Sequence, residues 1–396
     1  MKAETCDKTG LSIPATATLL RNLAAIERAR VRILAGWFLR LADYDHKYRL
    51  AYHLHDSAEH VSWLYRRLRE MRGGNANASV RPQLSAFLAE VLDAPSDRDF
   101  LAGFYGLLSR SLLHAVDQAM ESMDASANAN EQRLLERMRL NLAAQMRWYE
   151  GLGISERDSG WARYLEQLLQ SVGGLSGDSP PAAAPANQLG VRFVRPQTIV
   201  FDERIRRSPL ATYEERQDMD QEQATIEQFR VFFNEFYAAA LLASILFDAA
   251  DGEYPWEFFE DFSRHFWDEA RHSEFGALRL RELGSEPDRV DPVLFEESQG
   301  LPVLHRVAYL TRGLEAYFMP RKPKRMKEYE ASGDRRSQIF ADQDWSDEIN
   351  HVRYGSRWTE HLLQEDAREI EDIIEECKQH LSRERGAPVT DIRAPF

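Results

Sequence analysis

The stretch WDEARHSEFG, residues 267–276, places Glu269 and His272 three positions apart, directly behind Asp268. Nearer the C-terminus, SDEINHVRYG, residues 346–355, repeats the arrangement with Asp347, Glu348, His351 and Gly355. Both fit D-E-x-x-H-x-x-[aromatic]-G. Positions i and i+3 share one face of an α-helix, so each carboxylate–imidazole pair is able to address a single object. One E-x-x-H is weak, because a long Glu-rich chain contains on the order of one by chance. Two copies with the same leading Asp and the same trailing aromatic-Gly are far more specific.

Working outward, two further carboxylates stand at matching distances. Glu235 lies 34 residues before Glu269, and Glu315 lies 33 before Glu348. Those separations predict two helical hairpins, with the 46 residues from Glu269 to Glu315 leaving room for a longer crossover. Apolar residues flank both carboxylates: Val231, Ala238, Ala239, Leu242 and Leu246 around Glu235, and Ala308, Phe318 and Met319 around Glu315. An unpaired carboxylate in such a stripe is costly to bury. A four-helix di-metal site removes that cost by taking one Glu from each of two helices and a Glu-x-x-His pair from each of the other two. Four carboxylates and two imidazoles suit iron or manganese.

The rest of the chain supports a helical reading. It has 396 residues, 43% of them hydrophobic, enough for a substantial core. Convincing strand alternation is scarce. The one candidate, VRFVRPQTIVF at 191–201, is interrupted by Pro196. The fold expected is all-α. The apolar run FYAAALLASILF, 236–247, is shorter than the ~18 residues of a membrane span and reads as a buried core helix. The net charge of −14 argues against a general nucleic-acid binder. Two cysteines, Cys6 and Cys377, form no disulfide framework, and the polar N-terminus lacks a signal-peptide core. A cytoplasmic protein with no membrane association is expected.

A Gly-, Ser-, Pro- and Ala-rich stretch at 171–190 suits an interdomain linker. It suggests a domain at 1–172, a linker at 173–198 and a second domain at 199–396. The two halves look related. Glu27 precedes Asp43 by the same interval as Glu235 precedes Asp251. HDSAEHVSWL, 55–64, aligns Asp56 with Asp268 and His60 with His272, while Ser57 stands where Glu269 stands. Pairing Arg147-Trp148 with Arg357-Trp358 puts Met138 and Asn141 in place of Glu348 and His351. This pattern reads as an internal duplication whose first copy lost the motif. Glu27, Asp56, Glu59 and His60 are therefore expected to serve packing.

The order Glu235, Glu269-x-x-His272, Glu315, Glu348-x-x-His351 resembles the ferritin-like di-metal carboxylate superfamily. Its ligand set looks like that of the di-iron oxidases and oxygenases, among them the ribonucleotide reductase small subunit, the bacterial multicomponent monooxygenases and aldehyde-deformylating oxygenase. It is most similar to a poorly characterised bacterial ferritin-like family with D-E-x-x-H motifs, over about Ile199 to His380. The resemblance implies tandem ferritin-like four-helix bundles, the N-terminal one degenerate. It implies two iron ions, or manganese, or a mixed pair, with Glu235, Glu269 and His272 on one and Glu315, Glu348 and His351 on the other.

Asp268 and Asp347 would then orient a ligand imidazole or pair with an arginine, Arg271 first among the candidates. Gly276 and Gly355 would leave space beside the metals. Tyr237, Tyr317 and Tyr354 are candidates for a redox-active phenol. His265 reads as a core or rim histidine, and RKPKRMK, 321–327, as a solvated loop after a helix ending near Pro320, with an anion-binding role as the alternative. The function implied is O2-dependent oxidation of a small organic substrate, with room for an electron-donor partner and a homodimer. A ferroxidase or metal-handling protein and a tRNA-modifying hydroxylase stand as alternatives.

Overall fold

The computed structural model describes residues 10–72, 81–177, 180, 182–186, 190–364 and 367–385. Cys6 and part of the expected linker (178, 179, 181 and 187–189) lie outside the described residues. The fold is all-α. Among the described residues, strand is confined to a parallel pair of two-residue segments, Arg206–Arg207 and Arg289–Val290. The strand candidate at 191–201 takes no regular structure. Pro196 within it has no N–H to give a ladder.

The chain forms two compact units. One comprises Met1–Ile33 with Asp56–Val194, the other Leu34–His55 with Arg195–Phe396. Residues 34–55, expected in the N-terminal domain, thus group with the C-terminal half. Aromatic packing accounts for this. Phe38 stacks on Phe236 at 4.9 Å and meets Phe266 edge-on at 4.8 Å, and the Tyr44 hydroxyl lies 3.1 Å from Ser273 Oγ.

In the second unit the central element is the apolar helix Phe236–Ala249, almost wholly buried. It continues Gln221–Asn234, and together they make a 29-residue run apolar enough by length and composition to cross a membrane, most of it buried inside the protein. Asp220 caps the run at its start by accepting from the Gln223 amide. The helix Trp256–Glu282 packs against both segments and against Arg335–Leu363. The crossover between the two motif-bearing helices contains Val293–Ser298 and Val303–Ala308, and the latter runs into a π-helical segment, Tyr309–Glu315.

The run RKPKRMK is no loop: it opens a helix, Lys322–Ser332, which packs on Arg335–Leu363. Pro323 sits in the first turn, where a missing N–H costs nothing, and Gly333 closes the helix at φ 74°.

The first unit contains Ala129–Gly151, Gly160–Ser171 and a π-helical segment, Ala102–Ser109. Its core carries a buried polar network in place of a carboxylate cluster. The Arg30 guanidinium donates to Glu27 Oε2 (2.9 Å), Ser109 Oγ (2.6 Å) and Gln145 Oε1 (2.7 Å). His60 Nδ1 lies 2.8 Å from Glu27 Oε1, and Asn141 and Gln145 donate to Asp56 at 3.1 and 3.0 Å. Glu27, Asp56 and His60 therefore hold one arginine, whereas Glu59 is half-buried and stands outside this network. The π-helical segments of the two units end on Ser109 and Glu315.

Candidate metal centre

Two long helices of the second unit each turn three titratable groups inward. Trp256–Glu282 presents His265, Glu269 and His272, and Arg335–Leu363 presents Asp344, Glu348 and His351. The spacing is the same on both, i, i+4 and i+7, which is one helix face. Glu235 sits between the helices Gln221–Asn234 and Phe236–Ala249, at a local break where its amide is shared by the Val231 and Phe232 carbonyls, each at 3.1 Å. Glu315 closes the π-helical segment. The two lone carboxylates thus both stand at helix irregularities, a feature frequent at functional sites.

The structure brings all six expected residues together. They fall into groups whose donor atoms lie within 4.8 Å of one another: His265, Glu269, Glu315 and His351; Glu235, His272 and Asp344; Glu269, His272 and Glu348. Glu269 and His272 each belong to two of the groups. His265, expected in the core or at the rim, is instead part of the cluster, with Nε2 2.8 Å from Glu315 Oε1 and its ring stacked on His351 at 3.7 Å. Asp344 was not anticipated. The signal available for both was the face: each lies four residues before the Glu of its motif.

The imidazoles are oriented crosswise. His272 Nε2 lies 3.2 Å from Asp347 Oδ2, and His351 Nε2 lies 3.5 Å from Asp268 Oδ2. Each Asp therefore faces the histidine of the other motif, leaving Nδ1 directed at the carboxylates: His272 Nδ1 is 3.3 Å from Glu235 and His351 Nδ1 is 3.1 Å from Glu269. Arg271 reaches both aspartates, Asp268 at 2.5 Å and Asp347 at 3.3 Å, and Arg264 adds a contact to Asp268 at 2.9 Å. Each aspartate thus contacts both an imidazole and Arg271.

A residue absent from the expected set completes the site. Lys322 is buried, with Nζ 2.6 Å from Asp344, 2.9 Å from Glu348 and 3.8 Å from Glu235. Burial opposes its charge, but the surrounding carboxylates outweigh that and raise its pKa. Burial likewise opposes ionisation of Glu269, yet the imidazoles of His265, His351 and His272 hold its carboxyl well below the usual range. In Glu235, Glu315 and Glu348 burial dominates and the pKa is raised. His272 and His351 are pushed well above the usual value against the effect of burial, chiefly by Asp347 and Asp268.

The residues fit a pair of metal ions. Seven buried ligand atoms have no well-aligned hydrogen-bond partner among the described residues: Glu235 Oε2, Glu269 Oε1, His272 Nδ1, Glu315 Oε2, Asp344 Oδ2, Glu348 Oε2 and His351 Nδ1. Buried polar atoms without a well-aligned partner are rare, and the carboxylate oxygens among these seven lie in the groups whose donor atoms are close enough to share a cation. A cavity of about 50 Å³ touches Glu235, Glu269, Glu315 and Glu348, with Val231, Ala238, Leu310, Leu314 and Phe318 as its apolar wall.

The remaining candidates separate. Tyr237 lines this cavity and is buried, Tyr317 is 36% exposed, and Tyr354 is half-buried. The motif glycines open no space beside the cluster. A Cβ on Gly276 would stand 2.2 Å from the Phe233 amide nitrogen, and one on Gly355 would stand 2.1 Å from Thr311 Oγ1. Each glycine lets a neighbouring helix approach closely.

Fold and site together define an all-α chain with a buried carboxylate–imidazole cluster able to hold metal. The chain belongs to the family described as a protein of unknown function, DUF455, whose model matches residues 154–393. No curated protein and no solved structure matches it.

Proposed function

We propose that the chain is a non-haem di-iron oxidoreductase of the ferritin-like di-metal carboxylate type, using O2 to oxidise a small organic substrate, with manganese able to replace either iron. The metal pair would supply the electrons for O2 and the open coordination positions. Glu235, His272 and Asp344 form one half of the cradle, His265, Glu315 and His351 the other, with Glu269 and Glu348 between them. Asp347 and Asp268 each hold the Nε2 proton of an imidazole, so that Nδ1 faces inward. The apolar side chains Val231, Ala238, Leu310, Leu314 and Phe318 give the cavity one water-repelling wall. Lys322 places a positive charge among carboxylates that would otherwise repel one another.

The observation that carries this reading is the buried cluster of carboxylates and imidazoles whose donor atoms group within 4.8 Å of one another, seven of them without a well-aligned hydrogen-bond partner among the described residues. The test is metal analysis of protein from iron-replete cells, together with O2 uptake after reduction. About two transition-metal ions per chain are expected, with both lost in Glu269→Ala. Protein that binds no iron or manganese from such cells, or on reconstitution, would overturn the reading.

A further inference from the structure

Beside the metal cavity lies a cleft of about 470 Å³, inside the range of small-molecule sites. Its lining includes four cations, Arg216, Arg321, Lys324 and Arg325, against a single carboxylate, Glu328. Such a concentration of positive charge is unexpected in a chain of net charge −14. Arg321 and Arg325 line both the cleft and the metal cavity, so they form the wall the two spaces share.

We propose that this cleft binds the anionic head of the substrate, a carboxylate or phosphate on a small organic molecule whose apolar end enters the cavity over the metal centre. The inference rests on the di-metal reading above and names its substrate class.

Three features support it. First, the large aliphatic and phenyl side chains lie on one side only: Val231, Leu314 and Phe318 line the cavity, beside its carboxylates and the two shared arginines, and none of them lines the cleft. An amphipathic anion therefore has one productive orientation, head outward and apolar end toward the ligands. Second, aromatic rings fix the guanidinium planes. Arg321 lies 4.4 Å over Tyr213 and 5.2 Å over Phe318, and Arg325 lies 5.5 Å over Phe232. These rings hold the two planar guanidinium groups, the shape that suits an oxyanion, at the edge of the cleft, where Arg321 also donates to the Tyr317 hydroxyl at 3.4 Å. Third, Arg216 is buried at the cleft and hydrogen-bonds the Ala211 carbonyl. Burial first, and then the charge of Arg325 against the opposing charge of Glu227, push its pKa down to about 10. The feature is a concave cleft and not an extended basic surface, which favours a small anion over a nucleic acid.

The test is calorimetric titration of metal-loaded full-length protein with octanoate, octyl phosphate, 1-octanol and bulk tRNA, with metal content and O2 uptake measured on the same samples. At least one of the two anions should bind at least tenfold more tightly than 1-octanol, and the comparison of octanoate with octyl phosphate identifies the head group. Arg321→Gln and Arg325→Gln should each weaken binding roughly tenfold or more while leaving two metals in place. Lys324→Gln, whose side chain is 61% exposed, keeps the test open should the arginine variants misfold. Equal binding of 1-octanol, unchanged anion affinity in the arginine variants, or binding of tRNA alone with a steep salt dependence would overturn the cleft assignment. Two metals and O2 uptake without anion binding would sink this inference and leave the di-metal reading standing. Anion binding by protein that never takes up metal would sink that reading instead.

Discussion

His272 Nε2 stands 3.2 Å from Asp347 Oδ2, so the imidazole of the first D-E-x-x-H motif is oriented by the aspartate of the second. The reverse pair, His351 and Asp268, is separated by 3.5 Å. The two motifs are thus interlocked, and mutations in one should be read out at the metal of the other. Asp347→Asn should weaken the ion beside His272, and Asp268→Asn the ion beside His351, each by roughly 10–100-fold in affinity or activity with the fold intact. His272→Ala and His351→Ala should each leave about one ion per chain and lose O2 uptake. Metal stoichiometry with the optical spectrum of the oxidised centre measures both. Equal loss at both ions in Asp347→Asn would contradict the crossed arrangement.

Lys322 donates to Asp344 and Glu348. Replacing it with Met removes a positive charge from a carboxylate cluster. Lys322→Met should destabilise the metal-free protein, because the buried carboxylates lose their cation. It should also raise affinity for divalent ions, so that the gain in Tm on adding Mn(II) exceeds that of the wild type. A smaller gain would place Lys322 among the groups that assist metal binding.

Gly276→Ala should destabilise the second unit by about 1–3 kcal/mol or more, because the new methyl meets Phe233 backbone, which cannot rotate away as a side chain can. The effect belongs to packing. Urea denaturation should show the full loss in metal-free protein, whereas a role in shaping metal space would appear only in the loaded form.

In the first unit, Arg30→Met should cost about 3–5 kcal/mol, since it leaves Glu27 buried without its cation. The Glu27 carboxyl is held below its usual range against burial, by Arg30 and then His60. The double variant Arg30→Met with Glu27→Gln should recover much of that loss, and neither should alter metal content. Thermal unfolding with metal analysis tests this. A fall in metal per folded chain would bring the first unit into the chemistry.

His55 supplies a pH dependence. Burial, reinforced by Arg264 and Arg271, lowers its pKa to about 4, and its Nδ1 is buried with no hydrogen-bond partner among the described residues. The unfolded chain takes up that proton near pH 6.5, the folded chain only near 4. The contribution to stability is therefore complete above pH 6.5 and is lost as pH falls toward 4, at most about 3 kcal/mol in total. His55→Gln should flatten the stability curve across that window. An unchanged slope in urea melts between pH 7 and 4.5 would show that His55 titrates normally.

The helical character of this chain, the two D-E-x-x-H faces and the lone carboxylates Glu235 and Glu315 were legible in the sequence. All depend on local regularities: the i, i+3 spacing, the apolar stripes and the matching hairpin intervals. The same regularity extends to His265 and Asp344, four residues before Glu269 and Glu348. It could not tell a cluster member from a core or surface residue, because face alone does not reveal what lies opposite. Only the tertiary structure decided that Lys322 leaves a basic run, which reads as solvated, and enters the site, since its burial depends on Asp344 and Glu348 being there to compensate it. Only the fold crossed the Asp–His pairs, broke the helix at Glu235, and turned Gly276 against the Phe233 backbone instead of toward the metals. Local sequence sets the periodicity of each helix. Which charges neutralise one another is set by which helices meet, and that depends on contacts between residues tens of positions apart.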